Sequence, residues 1–491
     1  MVMMQTKTRL EFAPWLCVGA ALIAGAATAA AGGLAPAALL GGAVAGCLTL
    51  ANYRIGIWLL VLITPISATT VFPRELFGIT GANPYNALFA LTLITFLAER
   101  LWKNKPVWPS TYPLFWWAFV LPVLIAAIVG VTHFSDIPSF VFTKKIVAFS
   151  SSTGYFRDVF ARPMMYVMLA LLLGMACRDG MKIDAVIVAM CLSMWLVSAW
   201  IFYYVASSGV GLSQLASAAN REFFLGAGMH ANDLGALAAC MLILMIFAMA
   251  DRDITVTARL LYGLTMCAVA MLLALSFSRG AIFGFVVAFG MFFVVQRRLK
   301  VIVGVVCALA LLLPLLPTEL YERLGTGFGS GGSQVLHSAD DPLTAGRVAG
   351  VWIPLLSEVQ AHPIFGNGLL AVAWSFPFRS GAISIASLNP HNLYLKMLLE
   401  VGIVGCVVLL IFFVSMWRKF RALGKQSSMA IGDQWFANGA ASALLGYGVY
   451  GMSGGDYLPD PSNSLLWMAW GMLLLHPHAD TKRDQRSEAR P

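Results

Sequence analysis

Apolar residues run along this chain in long blocks separated by short polar turns. About fourteen blocks are each near the 17 to 25 residues that cross a ~30 Å hydrocarbon layer as a helix. They lie at 12–32, 35–52, 54–72, 84–100, 112–131, 162–177, 183–206, 232–250, 257–277, 280–296, 299–316, 393–416, 433–452 and 463–476. The pattern predicts an all-α polytopic integral membrane protein, because only helices or closed barrels satisfy their backbone groups inside lipid. Four longer connections interrupt it, at 132–161, 207–231, 317–392 and 453–462.

The 317–392 segment has its own pattern. GTGFGSGGS (325–333) is rich in Gly and Ser, a composition typical of flexible chain. Asp341 followed by Pro342 reads as a helix cap and first helical residue. Val348, Val351, Trp352, Leu355, Leu356 and Val359 then recur at helical spacing. They predict an amphipathic helix over 343–361, lying on the membrane surface and ended by the turn residues of HPIFGNG (362–368).

Composition agrees with a membrane protein. Of 491 residues, 59% are hydrophobic and 11% charged. No soluble domain hides that much apolar surface. The net charge of +9 comes from small clusters beside the spans: Lys7/Arg9, Arg100/Lys103/Lys105, Arg178/Lys182, Arg252/Arg259, Arg297/Arg298/Lys300, Arg418/Lys419/Arg421/Lys425 and Lys482/Arg483. With fourteen spans all of these fall on one face. The positive-inside rule makes that face cytoplasmic, and both termini with it. The basic residues form no single stripe, which argues against nucleic-acid binding. The eight cysteines lie in or beside apolar spans with no CxxC spacing, as small core residues do. The first apolar run mimics a signal peptide, but a second span follows at once, favouring an uncleaved helix.

Charged residues within the spans are few, and they gather at the ends opposite the basic clusters. Arg221 precedes one span. Arg279 stands in SFSRGA, between two apolar runs with almost no loop. Arg347 opens the amphipathic helix. His391, followed by Asn392, precedes the twelfth span, and Lys396 and Glu400 lie one helical step apart in its first turns. A guanidinium stays protonated and forks onto phosphate oxygens, and imidazole accepts a proton near neutral pH. Several cations and one base at one face suit a reaction in which an activated, lipid-carried diphosphate leaves as a hydroxyl attacks. Lys396 and Glu400 are placed to pair, with Glu400 reaching an arginine as the alternative. Asp340/Asp341 lack further ligand-spaced groups and read as a cap rather than a metal site. Asp456 and Asp460 read as a solvated loop, with contact to acceptor sugars as the alternative, and His230 reads as a turn residue, with catalysis as the alternative.

The sequence also resembles a family, the O-antigen ligases and Wzy-type polysaccharide polymerases. The resemblance rests on REFFLGAGMHAN (221–232), SFSRGA (276–281), GRVAGVW (346–352) with HPIFGNG (362–368), and HNLYLKMLLEVGIVG (391–405), with a weaker echo in GITGANPYN (78–86). One departure stands at His230, where many relatives have proline before Asn232. The resemblance implies a GT-C-like fold divided into N-terminal spans (1–206), a catalytic core (207–416) containing a large periplasmic loop (317–392), and C-terminal spans with a cytoplasmic tail (417–491). It implies an inverting, metal-independent glycosyltransferase of the bacterial inner membrane, needing no cofactor. The active site would face the periplasm, the donor would be undecaprenyl-pyrophosphate-linked glycan, and the acceptor would be glycan or lipid A core. A chain-length regulator and a flippase are implied partners. Arg221, Arg279 and Arg347 would then engage the pyrophosphate and His391 the acceptor, with Asn392 and Glu400 in support. Fourteen spans, against twelve usual for ligases, lean towards a polymerase. Ligase, lipid-linked oligosaccharide flippase and scaffold subunit of an export complex stay open as alternatives.

Overall fold

The computed structural model describes residues 35–73, 75–76, 79–80, 83–107, 113–211, 215, 223–296, 347–383 and 388–474. The predicted spans 12–32 and 299–316, the Asp341–Pro342 cap and Arg221 lie outside them. Apart from one hairpin pairing Glu75–Leu76 with Ile79–Thr80, the described elements are helical. They run α1 (Ala35–Ala51), α2 (Tyr53–Ile63), α3 (Pro84–Trp102), α4 (Pro113–Thr132), α5 (Ser139–Thr143), α6 (Ser152–Arg178), α7 (Ile183–Ser208), α8 (Ala231–Ala248), α9 (Val256–Leu275), α10 (Arg279–Gln296), α11 (Val348–Ala361), α12 (Phe376–Arg379), α13 (Leu393–Leu423), α14 (Ile431–Tyr450) and α15 (Ser464–Leu474). Among the described residues, α6, α7, α8, α9 and α13 are each long and apolar enough to cross a membrane. The described residues are those of a multi-pass, predominantly helical membrane protein.

Local sequence explains the starts. The side chains of Asn83, Ser151, Thr255 and Asn392 accept bonds from the first backbone N–H groups of α3, α6, α9 and α13. This satisfies donors that a helix leaves unpaired. Gly209, in the left-handed conformation, ends α7.

Helix α8 is the hub. It packs against α9, α10, α14 and α15 and is apolar nearly all round, as a helix surrounded by others must be. Gly280, Gly284 and Ala288 make a small-residue stripe on α10. A Cβ on Gly284 would fall 2.5 Å from the Gly446 carbonyl oxygen of α14, so the two backbones touch as small-residue stripes permit in membranes. A second apolar cluster is separate from the main core. It joins Ile137, Val141, Phe149 and Tyr155 to Val351 and Leu355 of α11 and to Ala371–Trp374.

The structure corrects several predicted boundaries. The 54–72 span ends at Ile63, just before Pro65, and Thr70 N–H then bonds the Ala227 carbonyl at 2.9 Å. The 132–161 connection is largely helix, because α6 begins at Ser152 and passes through a π-turn at Arg157–Ala161. Arg157, Asp158 and Arg162 had broken the hydropathy signal there. Helix α13 runs to Leu423 but is interrupted at Gly402 (φ 66°, ψ −173°). Of the predicted apolar face of α11, Val351 and Leu355 are buried while Leu356 is exposed.

Candidate functional site

The basic clusters and the sequence motifs sit at opposite ends of the bundle. Arg100 and Lys105 meet Asp179 at one end, where Arg421 also bonds Asn438. At the other end a ring of contacts closes through four motifs. The His391 and His230 rings lie 6.2 Å apart between centroids. Two residues on from His230, Asn232 Oδ1 accepts the Ser278 hydroxyl at 3.0 Å. Ser278 leads into Arg279 and Gly280, and a Cβ on Gly280 would collide with the Ser453 hydroxyl. Arg347 Nη1 donates to the Ser453 carbonyl at 2.8 Å. Leu393 N–H returns the ring to its start by bonding the Gly451 carbonyl at 2.7 Å, beside Asn392 and His391.

The ring brings the N-termini of α8, α10 and α13 to one spot. Each supplies partial positive charge. Arg279 is half-buried there, and among the described residues no carboxylate or carbonyl binds its guanidinium. Two residues of the ring are in the left-handed region that non-glycine residues avoid, Phe277 (φ 47°) and His391 (φ 56°). Such conformations cost about 1–3 kcal/mol each and persist where surrounding contacts impose them. Strain therefore coincides with the SFSRGA and HNLYLK motifs.

His230 caps α8, its Nδ1 accepting the Asn232 N–H at 3.1 Å. In the neutral ring the proton then sits on Nε2 and the lone pair is already engaged. His230 thus stands at the turn into α8 as its cap.

Beneath the ring lies a buried polar network that corrects two readings from sequence. Lys396 bonds Asp456, and stands 4.0 Å from Glu400. Asp456 is therefore the main partner of Lys396 and not a solvated loop residue. Glu400, 2% exposed, reaches no arginine among the described residues. Its two oxygens accept the Leu370 N–H at 2.8 Å and the Tyr457 hydroxyl at 2.7 Å. Asp460 is only partly exposed and is held by its neighbours. Its Oδ1 accepts Ser462 N–H, Ser462 hydroxyl and Asn463 N–H at 2.8, 2.6 and 3.1 Å, ahead of α15. Burial and the neighbouring Asp456 push the Asp460 carboxyl up to about 6, against the pull of those donors. Among the described residues no three His, Cys, Asp or Glu side chains gather as a metal site, so these carboxylates are understood through their protein partners.

Residues 263–410 match the O-antigen ligase family. No curated protein matches the chain. The likeness read from the motifs is borne out over that segment, which runs from within α9 past the break in α13. The matched segment contains Arg279, Arg347, His391, Asn392 and Glu400 and leaves α8 and the 453–462 loop outside. Of the predicted site residues, the structure brings Arg279, Arg347 and His391 to one ring. Asn392 stands beside them as the α13 cap, and Glu400 lies one layer deeper. Sequence reasoning missed Ser453 and Tyr457, and undervalued Asp456. The signal available for Asp456 was the lone Lys396 at the start of an apolar span, which needed a carboxylate somewhere.

Proposed function

We propose that this protein is a membrane glycosyltransferase taking an undecaprenyl-pyrophosphate-linked glycan as donor on the periplasmic face, with no metal and with inversion at the sugar. The observation that carries this reading is the contact ring. It sets Arg279, with no carboxylate partner among the described residues, with Arg347 and His391 at the end away from the basic loops. The positive-inside rule makes the basic end cytoplasmic. Arg221, outside the described residues, is proposed as a third diphosphate ligand.

In the proposed step the acceptor hydroxyl attacks the donor's anomeric carbon in line with the departing phosphate oxygen. The carbon–oxygen bond to phosphate breaks, and the hydroxyl proton passes to His391. Negative charge grows on the diphosphate. The arginines and the N-termini of α8 and α10 stabilise it, more strongly in the transition state than before. General-base assistance contributes about 10² to 10⁴-fold.

A flippase would need cationic groups along a path across the bilayer. The described buried ion pairs instead sit at the two ends, Arg100–Asp179 and Lys396–Asp456, which favours the transferase. Within that class we favour a polymerase, on the predicted span count. Purified protein in nanodiscs should extend a lipid-pyrophosphate-linked oligosaccharide, and His391→Ala should not. Donor carried across the bilayer with no new glycosidic bond would overturn the reading. In a deletion strain, single repeats still attached to lipid A core identify a polymerase, and polymer stranded on the carrier identifies a ligase.

A further inference from the structure

HPIFGNG was placed by sequence in the aqueous loop 317–392, yet the structure builds it into the membrane bundle. The backbone of α13 opens at Gly402, and residues 363–369 fill the opening. Ile403 N–H bonds the Pro363 carbonyl at 2.8 Å and Val404 N–H the Ile364 carbonyl at 3.2 Å. In return, Asn367 and Gly368 donate to the Leu399 and Glu400 carbonyls at 2.8 and 3.0 Å. On the other side, Leu369 N–H bonds the Ala126 carbonyl of α4 at 2.9 Å. These four bonds to α13 take up backbone groups that a broken helix would leave bare, which lipid does not tolerate.

Depth follows from helix rise. Ala126 is six residues before the end of α4 at Thr132, or roughly 9 Å inward at 1.5 Å per residue. Gly402 is sixteen residues from Arg418, roughly 24 Å above the basic end, inside a ~30 Å hydrocarbon layer. At this level Ile364 and Phe365 are 54% and 63% exposed. They continue the exposed apolar faces of both flanking helices, Ile125 and Ile128 on α4 and Ile403, Val404 and Val407 on α13.

We propose that residues 363–366 form a re-entrant wedge whose Ile364 and Phe365 side chains contact the acyl chains of the periplasmic leaflet. The wedge holds α13's outer half, which carries Lys396 and Glu400, at a fixed depth. The inference does not depend on glycosyl transfer.

The test places a nitroxide at Phe365→Cys in full-length protein whose eight native cysteines are replaced, in nanodiscs of phosphatidylethanolamine and phosphatidylglycerol. Ile411 and Ser427, labelled likewise, calibrate lipid and water. Greater broadening by oxygen than by a water-soluble nickel chelate, as at Ile411, is the expected result. A nickel response like that of Ser427 overturns the proposal, as does an immobilised label reached by neither, which would mean protein covers the site. Should the label perturb folding, Phe365→Leu and Phe365→Asp serve instead. The leucine variant should insert and unfold like wild type and the aspartate variant should unfold at lower temperature; equal stability of the two also overturns the proposal.

Discussion

Lys396 of α13 bonds Asp456 of the α14–α15 connection, and both sit beneath the ring that holds His391. Removing one partner of a buried pair leaves the other charge uncompensated, at a cost of about 3–5 kcal/mol. Lys396→Met should therefore lower the unfolding temperature in detergent markedly, and Asp456→Leu added to it should restore much of the loss. A single variant as stable as wild type would show that the pair does not hold the two segments together.

Arg279→Lys keeps the charge and loses the planar fork. Turnover with purified lipid-linked donor should fall at least about tenfold while the protein inserts and unfolds normally. Undiminished turnover would remove Arg279 from the diphosphate site.

His230 has its lone pair committed to the α8 cap, which leaves His391 as the base in the proposed mechanism. The acid limb of the pH–kcat/KM profile should survive in His230→Asn, which preserves a capping oxygen. It should vanish in His391→Gln. The reverse pattern would exchange the two roles.

Gly366 (φ 71°) and Gly402 (φ 66°) face each other, and a Cβ on Gly366 would stand 2.5 Å from Gly402 N. Alanine at either position meets both a strained φ and a collision, and should destabilise by more than ~1 kcal/mol. Gly263→Ala in α9, where nothing lies within 4 Å, should be neutral or stabilising. Thermal unfolding of the three variants compares them directly.

Asp460 binds its proton more tightly in the folded protein than in the unfolded chain. Its contribution therefore favours folding at low pH and turns unfavourable as pH rises from about 4 through about 6. Asp460→Asn keeps a capping oxygen and removes the charge. The variant's advantage in unfolding temperature should grow from pH 5 to pH 8; a gap that stays constant would mean Asp460 does not titrate in this range.

How far the site was legible depended on sequence distance. SFSRGA announced Arg279 because an arginine between two apolar runs has few ways to be solvated. His391, Asn392 and Lys396 were visible as polar residues at one helix start. The partner of Lys396 was not, since 60 residues separate it from Asp456 and GGDYLPDP looks like any polar turn. Nor was the α13 break, because Gly402 sits in a hydropathy pattern that continues across it.

The order of apolar and polar residues was enough by itself to determine the solvent, the helical class and the end of the bundle where unusual charges gather. Each follows from the cost of bare backbone or charge in hydrocarbon, a cost counted residue by residue. Only the tertiary structure decided which carboxylate neutralises Lys396, that His230 caps α8 through its Nδ1, and that HPIFGNG is spliced into α13. Those outcomes depend on hydrogen bonds between segments far apart in the chain, whose directions no local pattern carries.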